Sequence, residues 1–230
     1  MKKLFFLLVA SVLATTASAQ FVNSGSGKSS ASGGGISAMS TDDYNRFYVG
    51  YIPLNVDLSW WDMPSLKNSL NVGYLHGSSL TSKLPLFIEY GANFQYTFGK
   101  DKSSDYNDRV NMYSVNIPVN LAFKFQFNDI SITPYLGVNF RVNAAGTFKS
   151  EWDDGPGDKG SFKANIFDAD EMDGMAIKRF QAGLNVGAGF SYKAIYIGVG
   201  YIHDFSKFMK YENISGGKAS AVTLTLGFNF

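Results

Sequence analysis

The chain has 230 residues, with 20 Lys and Arg against 19 Asp and Glu, no cysteine, 24 glycines and 16% aromatic residues. So even a charge balance offers no basic excess for neutralising phosphates, which excludes nucleic acid as a partner. Without cysteine there is no disulfide, no thiolate metal site and no lipid attachment through sulfur.

At the N-terminus, Met1-Lys2-Lys3 is a short basic segment, Leu4 to Ala14 ("LFFLLVASVLA") is apolar, and Ala17-Ser18-Ala19 is a small-x-small site. The order predicts a secretory signal peptide over 1–19, cleaved after Ala19 and too short to span a bilayer as a helix. Residues 20–43 ("QFVNSGSGKSSASGGGISAMSTDD") are Gly/Ser-rich and predict a flexible periplasmic linker. Its "GSGKS" run (25–29) is not a phosphate loop, because Val22 occupies the position of the required first glycine and no strand precedes it. The folded domain is expected over 44–230.

Eight alternating segments follow, at about 46–53, 69–76, 84–98, 112–127, 130–143, 178–192, 194–206 and 219–230. The links between them alternate in length. Residues 54–68, 99–111, 144–177 and 207–218 are long, whereas 77–83, Asn128-Asp129 and Lys193 are short. Long links on one rim and tight turns on the other predict an all-β fold, an eight-stranded antiparallel up-and-down transmembrane β-barrel with both termini periplasmic.

The stretch "YSVNIPVNLAFKFQF" (113–127) carries Tyr, Val, Ile, Leu and Phe on one parity and Ser, Asn, Pro, Ala, Lys and Gln on the other. The same contrast recurs over 130–142 and 180–192. An eight-stranded barrel has room inside only for compact side chains, so the greasy parity must face lipid. Outward aromatics gather near the strand ends, with Phe94, Tyr96, Phe98 and Tyr113 at one rim and Phe125, Phe127, Phe190 and Tyr192 at the other.

The stretches "VNIPVNLAFKF" (115–125), "ITPYLGVNF" (132–140) and the terminal "LGFNF" (226–230) resemble the small outer-membrane β-barrel proteins of Gram-negative bacteria, the PorT-like group in particular. The resemblance covers 46–230. It implies an outer-membrane location, an accessory role in secretion or envelope assembly, and Phe228 and Phe230 as the signal read by the barrel-insertion machinery.

Candidate site residues fall in two places. In the lumen, Glu89, Lys124, Arg141 and Asp204 take the inward parity, and Glu89 and Lys124 on adjacent strands are expected to pair, since an isolated charge in a narrow lumen is costly. Inward glycines (183, 187, 189, 198, 200, 227) are expected to face Tyr48, Phe87, Tyr135 and Tyr196. In the long links, Trp60, Trp61 and Trp152 are candidate binding anchors, beside the acidic run of Asp168, Asp170, Glu171 and Asp173. That run departs from a calcium loop at Met172 and lacks the bidentate glutamate, so no metal site is assigned. His203, Asp204 and Ser206 alternate in direction and cannot form a triad from one strand.

The expected function is therefore a structural or surface-interaction role through long extracellular links, with no cofactor, no catalysis and no general porin activity. Alternatives are the PorT-like accessory role and, third, a lipid-modifying barrel enzyme. Expected partners are outer-membrane lipid, the barrel-insertion machinery and an extracellular or envelope protein.

Overall fold

The computed structural model describes residues 41–57, 66, 68–103, 105–153, 155, 158–211 and 214–230. The proposed signal peptide, nearly all of the linker, Trp60 and Trp61 lie outside the described residues. In chain order the strands are β1 (Tyr44–Asp57), β2 (Asn68–Ser79), β3 (Leu86–Lys102), β4 (Tyr106–Phe123), β5 (Phe125–Phe127), β6 (Ile130–Asp153), β7 (Lys159–Asn165), β8 (Met175–Ile177), β9 (Phe180–Tyr192), β10 (Ile195–Asp204), β11 (Met209–Tyr211), β12 (Ile214–Gly216) and β13 (Lys218–Asn229).

Antiparallel pairing closes a ring: β1–β2–β3–β4–β6–β9–β10–β13, with β13 returning to β1 over Arg46↔Asn229 to Asp57↔Lys218. β5 continues β4 past a break at Lys124, so the ring has eight staves. Closure leaves the ring without an edge, the condition under which a sheet can sit in hydrocarbon. Asn128 and Lys193 take φ of 52° at the first position of their two-residue turns, which lets β5–β6 and β9–β10 reverse tightly.

Every stave carries the period-2 contrast that separates inside from outside. Val49, Leu70, Tyr90, Ile117, Leu136, Leu184, Ile197 and Leu224 are exposed on the outer surface, while their sequence neighbours on the other parity are buried polar groups such as Gln95, Asn116, Asn139 and Gln181. A continuous apolar outside around a polar inside inverts the arrangement of a water-soluble barrel and is that of a transmembrane one. At the long-connection rim Tyr113 stacks on Tyr96 and Phe94 at 5.0 and 6.0 Å between ring centroids, and Tyr96 stacks on Phe98 at 5.4 Å.

Three of the long links carry strands of their own. Residues 99–102 and 106–111 form the outer ends of the β3–β4 hairpin, 144–153 prolong β6, which then folds back as β7, and β11 and β12 lie within 207–218. Their residues mix charge and aromatic on alternate positions, so the apolar alternation that marks the lipid-spanning part stops while the backbone ladder continues. β8, β11 and β12 form a separate three-stranded sheet at the same rim.

Candidate functional site

The lumen is filled by side chains from all sides of the ring. Arg141 on β6 places Nη1 3.1 Å from Asp204 Oδ2 of β10 and donates from the same nitrogen to Gln181 Oε1 of the intervening β9 at 2.7 Å. Its Nε donates to Asn116 Oδ1, and Asn116 in turn donates to Asn93 Oδ1 and Gln95 Oε1, both at 2.9 Å. Asn93 Nδ2 continues the chain to Tyr48 Oη at 3.1 Å. A cavity of about 70 Å³ lies among these amides, lined also by Tyr135 and Tyr196.

Glu89 belongs to a second cluster. Its expected partner was Lys124, but Arg46 supplies the cation, with Nη1 3.3 Å from Glu89 Oε1. Tyr44 Oη donates to the same oxygen at 2.5 Å, and Asn120 Nδ2 lies 3.4 Å from Oε2. Arg46 is held over the Tyr196 ring at 3.5 Å and by Asn229 Oδ1 at 2.8 Å from Nε. Lys124 stands at the break between β4 and β5, where its ammonium lies 5.0 Å from the Tyr44 ring centre, outside the carboxylate's reach. Inward glycines make room for the inward tyrosines: a Cβ on Gly189 would lie 2.2 Å from Tyr196 Cε2, and one on Gly187 would lie 2.5 Å from Tyr135 Oη.

Toward the long-connection rim the inward positions change character. Ile52 and Leu54 of β1, Val110 and Met112 of β4, and Ala219 and Ala221 of β13 are apolar and buried. Ile166, Ile177, Phe208 and Met209 descend on them from the connections, and Phe148 and Phe167 pack alongside. The small β8–β11–β12 sheet carries Ile177 and Met209, directly paired. This apolar plug lies over the polar lumen at the long-connection rim.

Above the plug, the ends of β3, β4 and β6 with β7 form a four-stranded flange. A bulge between Tyr113 and Ser114, where Ala144 is the extra residue of β6, shifts the register. Beyond it the even-numbered residues of β6 face inward, opposite Met112 and Val110. One face of the flange therefore carries Tyr106, Trp152 and Phe162, each 37–45% exposed, with Phe162 in ring contact with Phe148 of the plug at 6.4 Å. Trp152 lies across Gly160, where an added Cβ would meet the indole at 2.1 Å. The other face is charged. Glu151 accepts from Lys149 and from Asn107 Nδ2 at 3.0 Å, with Arg109 at 3.9 Å. The hydrogen bond from Lys149, then its charge, then the Asn107 amide hold the Glu151 carboxyl below its ordinary range.

The acidic run forms a turn between β7 and β8. Glu171 accepts the Asn165 amide at 2.7 Å and Asp168 accepts the Asp170 amide at 3.0 Å, while Asp173 sits at φ 51°. Among the described residues no three acidic or histidine side chains converge on a common point. Ser206 Oγ is bound to the Ala182 backbone, accepting its N–H at 2.9 Å and donating to its C=O at 3.3 Å, and the His203 ring stacks outward on Tyr201. Phe228 is exposed on the outer surface and Phe230 follows β13.

Sequence reasoning singled out Trp152 but missed Arg46, the plug and the two rings that share its face of the flange, Tyr106 and Phe162. A signal was present for the plug: inward parity turns from Tyr, Arg and Gly to Ile and Leu along β1, and from Asn and Ser to Met and Val along β4. For the flange the bulge removes any signal, because it swaps the two faces partway along one strand.

No known family profile and no curated protein matches the chain. Among solved structures, it is similar to Ail, the attachment invasion locus protein of Yersinia pestis (14% identity, TM-score 0.40, covering 81% of this chain and 98% of that one). It is also similar to Neisserial surface protein A (13%, TM-score 0.40, 82% and 97%) and to the outer membrane protein OprG from Pseudomonas aeruginosa (10%, TM-score 0.39, 82% and 95%).

Proposed function

We propose that the chain is an exported, non-catalytic outer-membrane barrel that presents the β3–β4–β6–β7 flange at the cell surface as a contact for another protein. One observation carries this reading: Tyr106, Trp152 and Phe162 share an exposed face on a sheet anchored by the barrel below, and exposed aromatic clusters on rigid elements are the usual energetic centre of protein interfaces. The plug and the filled lumen argue against solute passage. Ser206 has both hydrogen-bonding roles taken by backbone, which argues against an acyl-transfer site with His203.

The test is a pull-down from intact cells with wild type and with Tyr106→Ala/Trp152→Ala/Phe162→Ala, both shown to be folded by heat-modifiable mobility on gels. Loss of a captured protein only in the triple variant supports the surface-contact role. Equal capture by both overturns it. Unchanged surface capture, with secreted cargo lost when the gene is deleted, would instead assign the accessory role that the PorT-like resemblance implies.

A further inference from the structure

We propose that the free edge of β7 is a docking site for an extended segment of another protein, taken up as an added strand of the flange and carrying a carboxylate side chain opposite Lys163. The inference rests on the surface-contact reading above and names the chemistry of the partner.

β7 pairs with β6 and with no other strand among the described residues. Hydrogen bonds in an antiparallel ladder alternate in direction from one residue to the next. The Asp153 N–H donates to the carbonyl of Asp105, just ahead of β4, at 2.9 Å, so odd-numbered residues of β6 bond toward β4 and even-numbered ones toward β7. Gly160, Phe162 and Ala164 answer the even-numbered set. Ser161 and Lys163 therefore turn their N–H and C=O groups away from the sheet. Asn165 shows the same direction, since its N–H leaves the sheet to meet the Glu171 carboxylate at 2.7 Å. Among the described residues nothing takes up the Ser161 and Lys163 groups, which leaves a template for one more strand.

The side chains say what that strand must carry. The register sets Lys100, Arg109, Lys149 and Lys163 directly opposite one another across β3, β4, β6 and β7. Such a row is unfavourable by itself, because like charges facing each other across strands repel. Glu151, in the neighbouring row, accepts from Lys149 and lies 3.9 Å from Arg109. Lys100 and Lys163, the two ends of the row, join no ion pair among the described residues. Asp101 and Asp108 face each other on the opposite side of the sheet. Of the acids near the edge, Glu171 is bound at Asn165 and Asp153 is paired with Lys159, while Asp158 precedes the strand and Asp154 lies outside the described residues. A carboxylate opposite Lys163 closes the row with the opposite charge. Its neighbour, opposite Phe162, joins the aromatic face and is expected to be apolar. A second copy of this chain fits poorly, because its own β7 would bring Lys159 and Lys163 to the same edge, and edge lysines exclude like partners.

The experiment uses the whole protein in phosphatidylcholine nanodiscs and a fluorescein-labelled peptide of alternating glutamate and valine, with a lysine-for-glutamate peptide as control. By fluorescence anisotropy, wild type should bind the glutamate peptide roughly tenfold more tightly than the control. Lys163→Glu should invert that preference. Ser161→Pro should abolish binding and keep heat-modifiable mobility, because the lost N–H takes no part in the β6–β7 ladder. Equal affinity for the two peptides, or binding that survives Ser161→Pro, overturns the proposal. Self-association of wild type without peptide, lost in Ser161→Pro, overturns it in favour of a second copy. If the aromatic triple variant loses its captured protein in the pull-down while Ser161→Pro and Lys163→Glu keep it, the edge site fails and the surface-contact role stands. Capture unaffected by any of these variants removes the surface-contact role, and the edge site with it.

Discussion

Arg141 and Asp204 reach each other across an intervening strand. The ion pair joins β6 to β10 over β9, and Gln181 of β9 accepts the same guanidinium nitrogen. Three consecutive staves are thereby locked by one buried cluster. Asp204→Asn leaves Arg141 buried without its countercharge and should cost about 3–5 kcal/mol. The check is the temperature at which the fast-migrating folded band converts to the unfolded one. The double variant Arg141→Met/Asp204→Leu should recover much of that loss, since it removes both charges together.

Gly137 on β6 lies against the β4 backbone, where a Cβ would stand 2.1 Å from the Val119 carbonyl oxygen and 2.5 Å from Asn120 Cα. No side-chain rotation relieves that contact. Gly137→Ala should lower stability by about 1–3 kcal/mol by spreading the two staves, measured by the same conversion temperature.

The plug and the barrel should come apart energetically. Phe208 is buried in the plug, not in the membrane-spanning wall. Phe208→Ala should cost the plug about 3–5 kcal/mol and expose 205–217 to protease while leaving the conversion temperature of the barrel close to wild type. A matched fall in barrel stability would show that plug and wall unfold as one unit.

The lumen and the wall were legible in the sequence to different degrees. Residues 113–127 announce both faces of a stave, because lipid outside and a tight polar interior impose opposite demands on alternate positions. Glu89 could be placed inward by parity, but its partner could not be chosen, since Arg46 reaches it across β2 through the barrel interior while Lys124 sits only one stave away. Parity gives the face of a residue and says nothing of which of several cations folds toward it. The flange was read as parts of two long links because, outside lipid, neither of its faces is uniformly apolar.

The charged face of the flange responds to acid. Glu151 titrates below the ordinary glutamate value of 4.5 because Lys149 donates to it and Asn107 adds a second hydrogen bond. A carboxyl lowered in the folded state stabilises the flange at pH above the ordinary value, and that contribution disappears as pH falls through the folded one. Carbon-13 NMR of the Glu151 carboxyl should place its midpoint below that of free glutamate, and Lys149→Gln should move it upward.

The insertion of Ala144 also makes β6 a strand with two inside faces. Below it odd-numbered residues such as Arg141 and Asn143 meet the lumen, and above it the even-numbered Phe148 meets the plug, with Trp152 on the same face of the flange beyond. Removing that single residue would reverse everything distal to it, presenting Lys149 and Glu151 to the apolar plug and turning the rings outward. The guanidinium of Arg179 holds the Ala144 carbonyl at 3.1 Å. The chemistry displayed at the tip of the molecule is thus set by a frame shift in the wall, and lengthening or shortening this one strand would exchange a greasy surface for a charged one without altering any residue at the tip.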